Sequence, residues 1–199
     1  MISAREALDR LRTGNRHFVE DIQRGRGASD QARREELVEG QAPFAVILVP
    51  AEIVFHQGLG DLFVIRVAGN IVAPSQIGSV EFAAAKFQTR LVVVMGHTQC
   101  GAVLATLEEL EQPSENRSPN LRSIVSRIRP SIEDLLELNL SENREDLVRR
   151  ATRANIRASV NHLRHGSEIL EQAIEKNGLR IVGAEYALET GVVEFFDVD

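Results

Sequence analysis

The chain has 199 residues, 43% of them hydrophobic and 26% charged, with a formal net charge of −6. That length suits one domain and that balance suits a globular fold, which argues against disorder and collagen-like structure. The single cysteine, Cys100, excludes an intrachain disulfide and any site built from several cysteines of one chain, and it fits a reducing compartment.

No apolar run approaches the ~18 residues of a membrane span. The longest near-continuous stretch, Phe44 to Phe55, is interrupted by Pro50 and Glu52. Arg5, Asp9, Arg10 and Arg12 stand where a signal peptide would need an apolar segment, so a cytoplasmic protein with no membrane partner is expected. The basic residues are 21 arginines and 2 lysines interleaved with acids, and residues 1–40 hold eight of each sign. Such pairs form a solvated surface, whereas nucleic-acid binding calls for a one-signed patch, so no nucleic-acid partner is expected.

Residues 3–23 read as an amphipathic helix opened by a Ser3/Glu6 capping box, with Leu8, Leu11, Phe18 and Ile22 near one face. Gly25 and Gly27 break it, and a second helix is expected from Asp30 to Val38. With no strand nearby, residues 1–40 look like a helical arm that packs on a neighbouring subunit. The apolar run Phe44 to Val49 reads as a strand buried on both faces, followed by a short helix over Ala51–Gln57 and the turn Gly58-Leu59-Gly60. A second strand runs from Leu62 to Val67. A helix capped by Ser75 or Ser79 reaches Phe87, and a third strand spans Leu91–Met95. Gly96 turns the chain into a helix from Gly101 to Leu110. Gln112 to Asn120 reads as a loop, residues 121–138 and 143–177 as helices, and Arg180–Ala187 as a strand. After a turn at Glu189-Thr190-Gly191, Val192–Phe196 returns as an edge strand. The fold class is α/β: one domain with a central, mainly parallel sheet, helical crossovers, an N-terminal helical arm and a C-terminal edge strand.

The strongest chemical feature is Gly96-His97-Thr98-Gln99-Cys100-Gly101, where a buried strand meets a helix. Ligands of open parallel sheets bind at such strand ends. His97 and Cys100, three apart across the turn, can aim an imidazole nitrogen and a thiolate at one metal ion, and a helix N-terminus favours the thiolate. The bland alternative makes Cys100 a small buried filler and His97 a turn residue. A Cys-His nucleophile pair would lack a third, orienting residue.

Residues 42–107 resemble the β-class carbonic anhydrases. The resemblance is carried by Pro43-Phe44-Ala45-Val46-Ile47-Leu48, by Pro50-Ala51-Glu52-Ile53-Val54-Phe55, and by the long segment from Gly58 to Asn70. Gly96-His97-Thr98-Gln99-Cys100-Gly101-Ala102-Val103 belongs to it as well. It extends through Ala154–Ile169 and the ending Glu189-Thr190-Gly191-Val192-Val193. What it implies is a zinc lyase interconverting carbon dioxide and bicarbonate, with the metal held by two cysteines and one histidine. His97 and Cys100 match the family's His-x-x-Cys pair. Zinc lowers the pKa of its water to about 7, which supplies hydroxide at neutral pH. The resemblance also implies a homodimer or homotetramer, with N-terminal helices embracing a neighbour and active sites near the dimer interface.

The chain departs from the family at one place. Family members follow the first core strand with Cys-x-Asp-x-Arg, whereas here Ile47-Leu48 runs directly into Val49-Pro50-Ala51-Glu52. About six residues are missing by alignment to the family pattern, and with them go a thiolate ligand and an Asp-Arg pair. Glu52, His56 and Asp61 are the nearest titratable side chains that could substitute as ligands. Phe55, Gln57 and Gly101 are expected to line the pocket. Gly69 and Asn70 are expected in a tight turn near the cleft, Arg66 in a buried strand paired with Asp61, and Tyr186 at the sheet edge. His162 and His165 are expected on a helix, solvated or capping. Three readings stand: a family member with reduced or absent activity, a non-catalytic assembly or binding protein on the same scaffold, and an active enzyme with a substitute ligand.

Overall fold

The structure, a computed structural model, describes residues 2–24, 45–47, 51–58, 60–113, 118–137 and 143–196. The first helix, α1 (Ala4–Gln23), begins as its sequence dictates: the Ser3 hydroxyl accepts from the Glu6 amide at 3.2 Å and the Glu6 carboxylate accepts from the Ser3 amide at 2.8 Å. The second helix expected over residues 30–38 lies outside the described residues.

Among the described residues five strands form one sheet: β1 (Ala45–Ile47), β2 (Leu62–Val64), β3 (Leu91–His97), β4 (Arg180–Tyr186) and β5 (Val193–Phe196). Their order is β2-β1-β3-β4-β5, parallel throughout except that β5 runs antiparallel to β4. The helices between them are α2 (Pro74–Lys86), α3 (Gly101–Glu111), α4 (Pro119–Ile128), α5 (Glu133–Glu137), α6 (Arg144–His165) and α7 (Glu168–Asn177). The expected α/β class is therefore the observed one. Because β1 is flanked by β2 on one side and β3 on the other, the chain reverses direction across the sheet between β1 and β3. Open parallel sheets place their ligand crevices at that reversal, outside the carboxyl ends of the strands.

The alternation of side chains along β3 divides the core. Leu91, Val93 and Met95 pack on one face with Leu8 and Leu11 of α1, Phe55 and Val182, all essentially sealed from solvent. Val92 and Val94 pack on the other with Val80 of α2, Ile156, Val160 and Leu163 of α6, and Leu170 of α7. A third cluster joins Cys100, Val103 and Leu107 to Ile128, Ile132, Leu147 and Ala151 beneath α4 and α6. The sequence left α1 without a sheet partner; the structure supplies one in its own chain.

Buried Asn15 fastens this helix. Its Nδ2 donates to the carbonyls of Val54 (3.0 Å) and Gly191 (2.9 Å), and its Oδ1 accepts from the Val193 amide (2.9 Å). One side chain thus joins α1 to the 51–58 segment and to the start of β5. Asn15→Ala leaves three backbone groups without their protein partner, although water can enter the space. The expected loss is roughly 2 kcal/mol, or a fall in Tm of about 4–8 °C. A thermal scan showing no change would refute this reading of the residue.

Several element boundaries differ from the sequence reading, each for a physical reason. The short helix expected over Ala51–Gln57 is a run of turns. Phe55 N bonds Ala51 O at 2.9 Å and Gln57 N bonds Glu52 O at 2.8 Å, but His56 takes a left-handed φ of 48° that ends the coil. The second strand stops at Val64, short of Arg66 and Val67. Helix α2 is capped at Ala73, not at Ser75 or Ser79: Pro74 occupies the first helical position, where its missing N–H costs nothing, and Ser79 instead donates to the Ser75 carbonyl within the helix. The strand β3 continues through Gly96 to His97. The long C-terminal helix is two helices, α6 and α7, because Gly166 ends the first and the Ser167 hydroxyl accepts from the Leu170 amide to start the second.

Candidate metal centre

His97 is the last residue of β3, and Cys100 stands at the N-cap of α3 after the two-residue turn Thr98-Gln99. The turn is tight enough to force Gln99 to a φ of 55°. It is anchored to β4 by the Thr98 amide, which donates to the Tyr186 carbonyl at 3.0 Å. Both side chains therefore sit at the carboxyl end of β3, beside the reversal between β1 and β3.

The His97 Nδ1 lies 2.8 Å from the Thr98 carbonyl. A carbonyl only accepts, so Nδ1 carries a hydrogen and Nε2 is the nitrogen left to face Cys100. Burial pushes the Cys100 thiol up, but hydrogen bonds from the His97 ring and from the Val103 and Ala102 amides outweigh it, and the thiol ends below its ordinary value. The contact with Cys100 lifts the His97 imidazole above its ordinary range; burial opposes the rise and the Thr98 carbonyl adds to it. The two groups form a close, polarised sulfur–imidazole pair.

This pair opens into a cleft of about 640 Å³ walled by Phe18, Ile53, Val54, Val67, Met95, Tyr186 and Leu188. Gly69 and Asn70 close its floor as expected, both at positive φ (65° and 42°), held from behind by Asn155, whose Nδ2 donates to the Gly69 carbonyl at 2.8 Å. The walls are mostly apolar, and Arg66 supplies a charge at the rim. Arg66 is exposed rather than buried in a strand, and its partner is Glu52 at 3.7 Å, not Asp61. Asp61 pairs instead with Arg10 of α1 at 3.4 Å and accepts from the Gly58 amide at 3.0 Å.

The other sequence candidates are placed elsewhere. His56 faces Asp21 at 3.8 Å and the His17 ring at 6.0 Å between centroids, on the outside of α1. Phe55 is sealed in the core against Phe195, and Gln57 accepts from Arg10 at 3.0 Å. Gly101 lines a small apolar hollow with Ala68, Ala105 and Leu121 next to the cleft. Tyr186, assigned by sequence to the sheet edge, pairs in register with His97 on an interior strand and lines the cleft. Its position at the carboxyl end of a parallel strand was the signal available for it.

The donor set can be tested against the zinc that the resemblance implies. The His97 arrangement suits a metal ligand, since ligating imidazoles commonly give their other N–H to a backbone carbonyl. The count does not suit one. Among the described residues no group of three or more His, Cys, Asp or Glu side chains is placed to hold a metal. In the sequence, Leu48-Val49-Pro50 contains no donor side chain, and the chain has no second cysteine. A catalytic zinc takes three protein ligands and an open position, and the described residues bring together only two candidate donors, so they do not by themselves fit it.

On the far side of the Thr98–Gln99 turn, Glu185 of β4 is buried yet acidic. Burial raises its carboxyl above the ordinary range, Arg153 at 3.5 Å opposes that rise, and Glu194 adds to it. A carboxyl whose folded pKa exceeds its unfolded one costs no stability below the unfolded value. The cost grows as pH rises through the folded value. Glu185→Gln is therefore expected to raise Tm at pH 7 by about 2–4 °C, on the order of 1 kcal/mol, with the gain vanishing below about pH 4. A gain independent of pH would refute it.

Comparison with known proteins adds the following. The carbonic anhydrase family matches residues 49–193. A carbonic anhydrase of Mycolicibacterium smegmatis is 36% identical over 192 residues, covering 92% of this chain and 89% of that protein. Carbonic anhydrase 2 of Mycobacterium tuberculosis is 34% identical over 191 residues, covering 91% and 87%. Among solved structures, a β-carbonic anhydrase of Aspergillus fumigatus superposes with a TM-score of 0.73 at 24% identity, covering 83% of this chain and 81% of that one. A structure from a study of two tetrameric β-carbonic anhydrases of Sordaria macrospora gives 0.72 at 22% identity, covering 82% and 85%.

Proposed function

The chain belongs to the β-class carbonic anhydrases, and from that premise we propose that it is a member whose zinc site is incomplete and whose hydration of carbon dioxide to bicarbonate is reduced or absent. The observation that carries this reading is the donor set: one imidazole and one thiolate, with no third ligand gathered among the described residues. Zinc affinity falls steeply when a thiolate is lost, and the Asp-Arg pair expected beside the metal is lost with it. Glu52, His56 and Asp61 do not rescue the count: each has another ion-pair partner, and among the described residues none joins a metal-holding group with His97 and Cys100.

The purified chain is expected to carry well under one zinc per subunit after dialysis and to hydrate carbon dioxide at the background rate in stopped flow. Stoichiometric zinc with rapid hydration would overturn the proposal and favour an enzyme with a substitute ligand. The scaffold itself is read as a homodimer or homotetramer in the cytoplasm. The Sordaria macrospora proteins are described as tetrameric, and the cleft rim leaves Ile53 and Leu188 exposed at 66% and 52%. No described helix is long and apolar enough to cross a membrane. Sedimentation of the purified chain as a monomer would remove the assembly role.

A further inference from the structure

His97 and Cys100 fall short of a zinc site, yet they meet the needs of a softer ion. The pair offers one sulfur and one imidazole nitrogen in hydrogen-bond contact across the Thr98–Gln99 turn. The imidazole is already oriented for ligation. Its Nδ1 donates to the Thr98 carbonyl at 2.8 Å, which leaves Nε2 as the donor atom on the side of Cys100. Zinc requires a third protein ligand, and the described residues gather none. Copper(I) is a closed-shell ion that selects thiolate sulfur and accepts imidazole nitrogen. Two such ligands in line satisfy it. Carboxylate oxygens are hard donors that suit other metals, so the lack of a gathered carboxylate is no loss to copper(I).

Charge balance separates the two metals further. The cleft in front of the pair is walled largely by Phe18, Ile53, Val54, Val67, Met95 and Leu188, and Cys100 itself is only 4% exposed. A single thiolate and an imidazole around Zn2+ leave one net positive charge, which is costly in apolar surroundings. The Arg66 guanidinium at the rim adds a like charge. Around Cu+ the same two ligands make a neutral centre, which apolar walls accept. The two thiolates that the family sets around zinc balance its double charge, and the one thiolate present here balances a single charge.

On the premise of the incomplete zinc site above, we propose that His97 and Cys100 form a two-coordinate copper(I) site, with the ion held between His97 Nε2 and Cys100 Sγ and facing the apolar cleft. The thiol proton leaves to solvent as the ion binds. Copper enters and remains monovalent, so no redox partner is needed.

The test is an anaerobic titration of the full, dialysed chain with copper(I) delivered as its bicinchoninate complex. Uptake is read as the fall of the chelator's visible band and the rise of an ultraviolet thiolate-to-copper band. Zinc is titrated in parallel against a chromophoric zinc chelator. One copper(I) per chain and no retained zinc are expected, with X-ray absorption at the copper edge showing one sulfur and one nitrogen. Cys100→Ser and His97→Gln should each weaken copper binding by roughly 100-fold or more, since loss of a mere outer-shell partner already costs 10–100-fold. Native-like circular dichroism of both variants separates this loss from unfolding. The other close imidazoles, His17 and His56 at 6.0 Å between ring centroids, are the control, and His17→Gln should bind as the native chain does. No copper taken from the chelator, uptake that survives Cys100→Ser, uptake lost in His17→Gln, or an absorption spectrum without sulfur would each overturn this proposal and leave the incomplete zinc site standing. Stoichiometric zinc that copper(I) does not displace would overturn both.

Discussion

Inserting Cys-Ser-Asp-Ser-Arg between Leu48 and Val49 is expected to bring zinc to one per subunit and to raise carbon dioxide hydration by roughly 10³-fold or more over the unmodified chain. The insertion point follows β1, and the sheet order places the carboxyl end of β1 beside that of β3, where His97 and Cys100 already stand. The added cysteine is the only donor the pair lacks to reach three protein ligands. The added Asp and Arg supply hydrogen-bonding partners around the metal, whose removal alone typically costs 10–100-fold. A five-residue Gly-Ser insertion at the same position controls for loop length and should leave zinc and rate unchanged. If the unmodified chain already matches the restored one in both measurements, the site is complete by a route not visible in its donor set. If the restored chain binds zinc but gains no rate, the defect lies in the cleft walls and not in the ligands.

Most of the architecture was legible because it depends on local patterns. The run Leu91–Met95 is apolar at every position, and the structure uses both faces of it, burying Leu91, Val93 and Met95 under α1 and Val92 and Val94 under α6. The Ser3/Glu6 pair marks the start of α1 by chemistry confined to one turn. What was not legible depends on contacts distant in sequence. Arg66 meets Glu52 and Asp61 meets Arg10, an exchange set by where α1 crosses the 51–61 segment, which no window of the sequence contains. Tyr186 belongs to the cleft only because β4 pairs with β3 in the register that sets it beside His97. The candidate site was half legible for the same reason. His97 and Cys100 lie three apart on one turn, while the missing Cys-x-Asp-x-Arg segment was read from the family pattern, and the ion-pair partners of Glu52, His56 and Asp61 needed the folded chain.

Gly14 shows most sharply how a distant contact governs a local choice. It lies inside α1, where glycine is less favourable than alanine by about 1 kcal/mol, so helix propensity alone would welcome the exchange. The packing forbids it: a Cβ at this position would lie 1.6 Å from the Phe55 carbonyl oxygen and 2.6 Å from its carbon. Both are backbone atoms, and Phe55 is sealed in the core, so the obstruction cannot swing aside as a side-chain tip would. To admit a methyl group, α1 must lift from the 51–58 segment, and the neighbouring Asn15 would lose its bonds to Val54, Gly191 and Val193. Gly14→Ala is therefore expected to cost about 3 kcal/mol or more, at the severe end for a single methyl. Gly78 in α2 is the matched control, exposed on its helix with nothing within 4 Å of the added carbon. There Gly→Ala should stabilise by roughly 0.5–1 kcal/mol, because only the backbone term remains. Paired denaturant melts of the two variants should move in opposite directions from the native midpoint. A shift of the same sign in both would mean that α1 does not approach the 51–58 segment as closely as the structure has it.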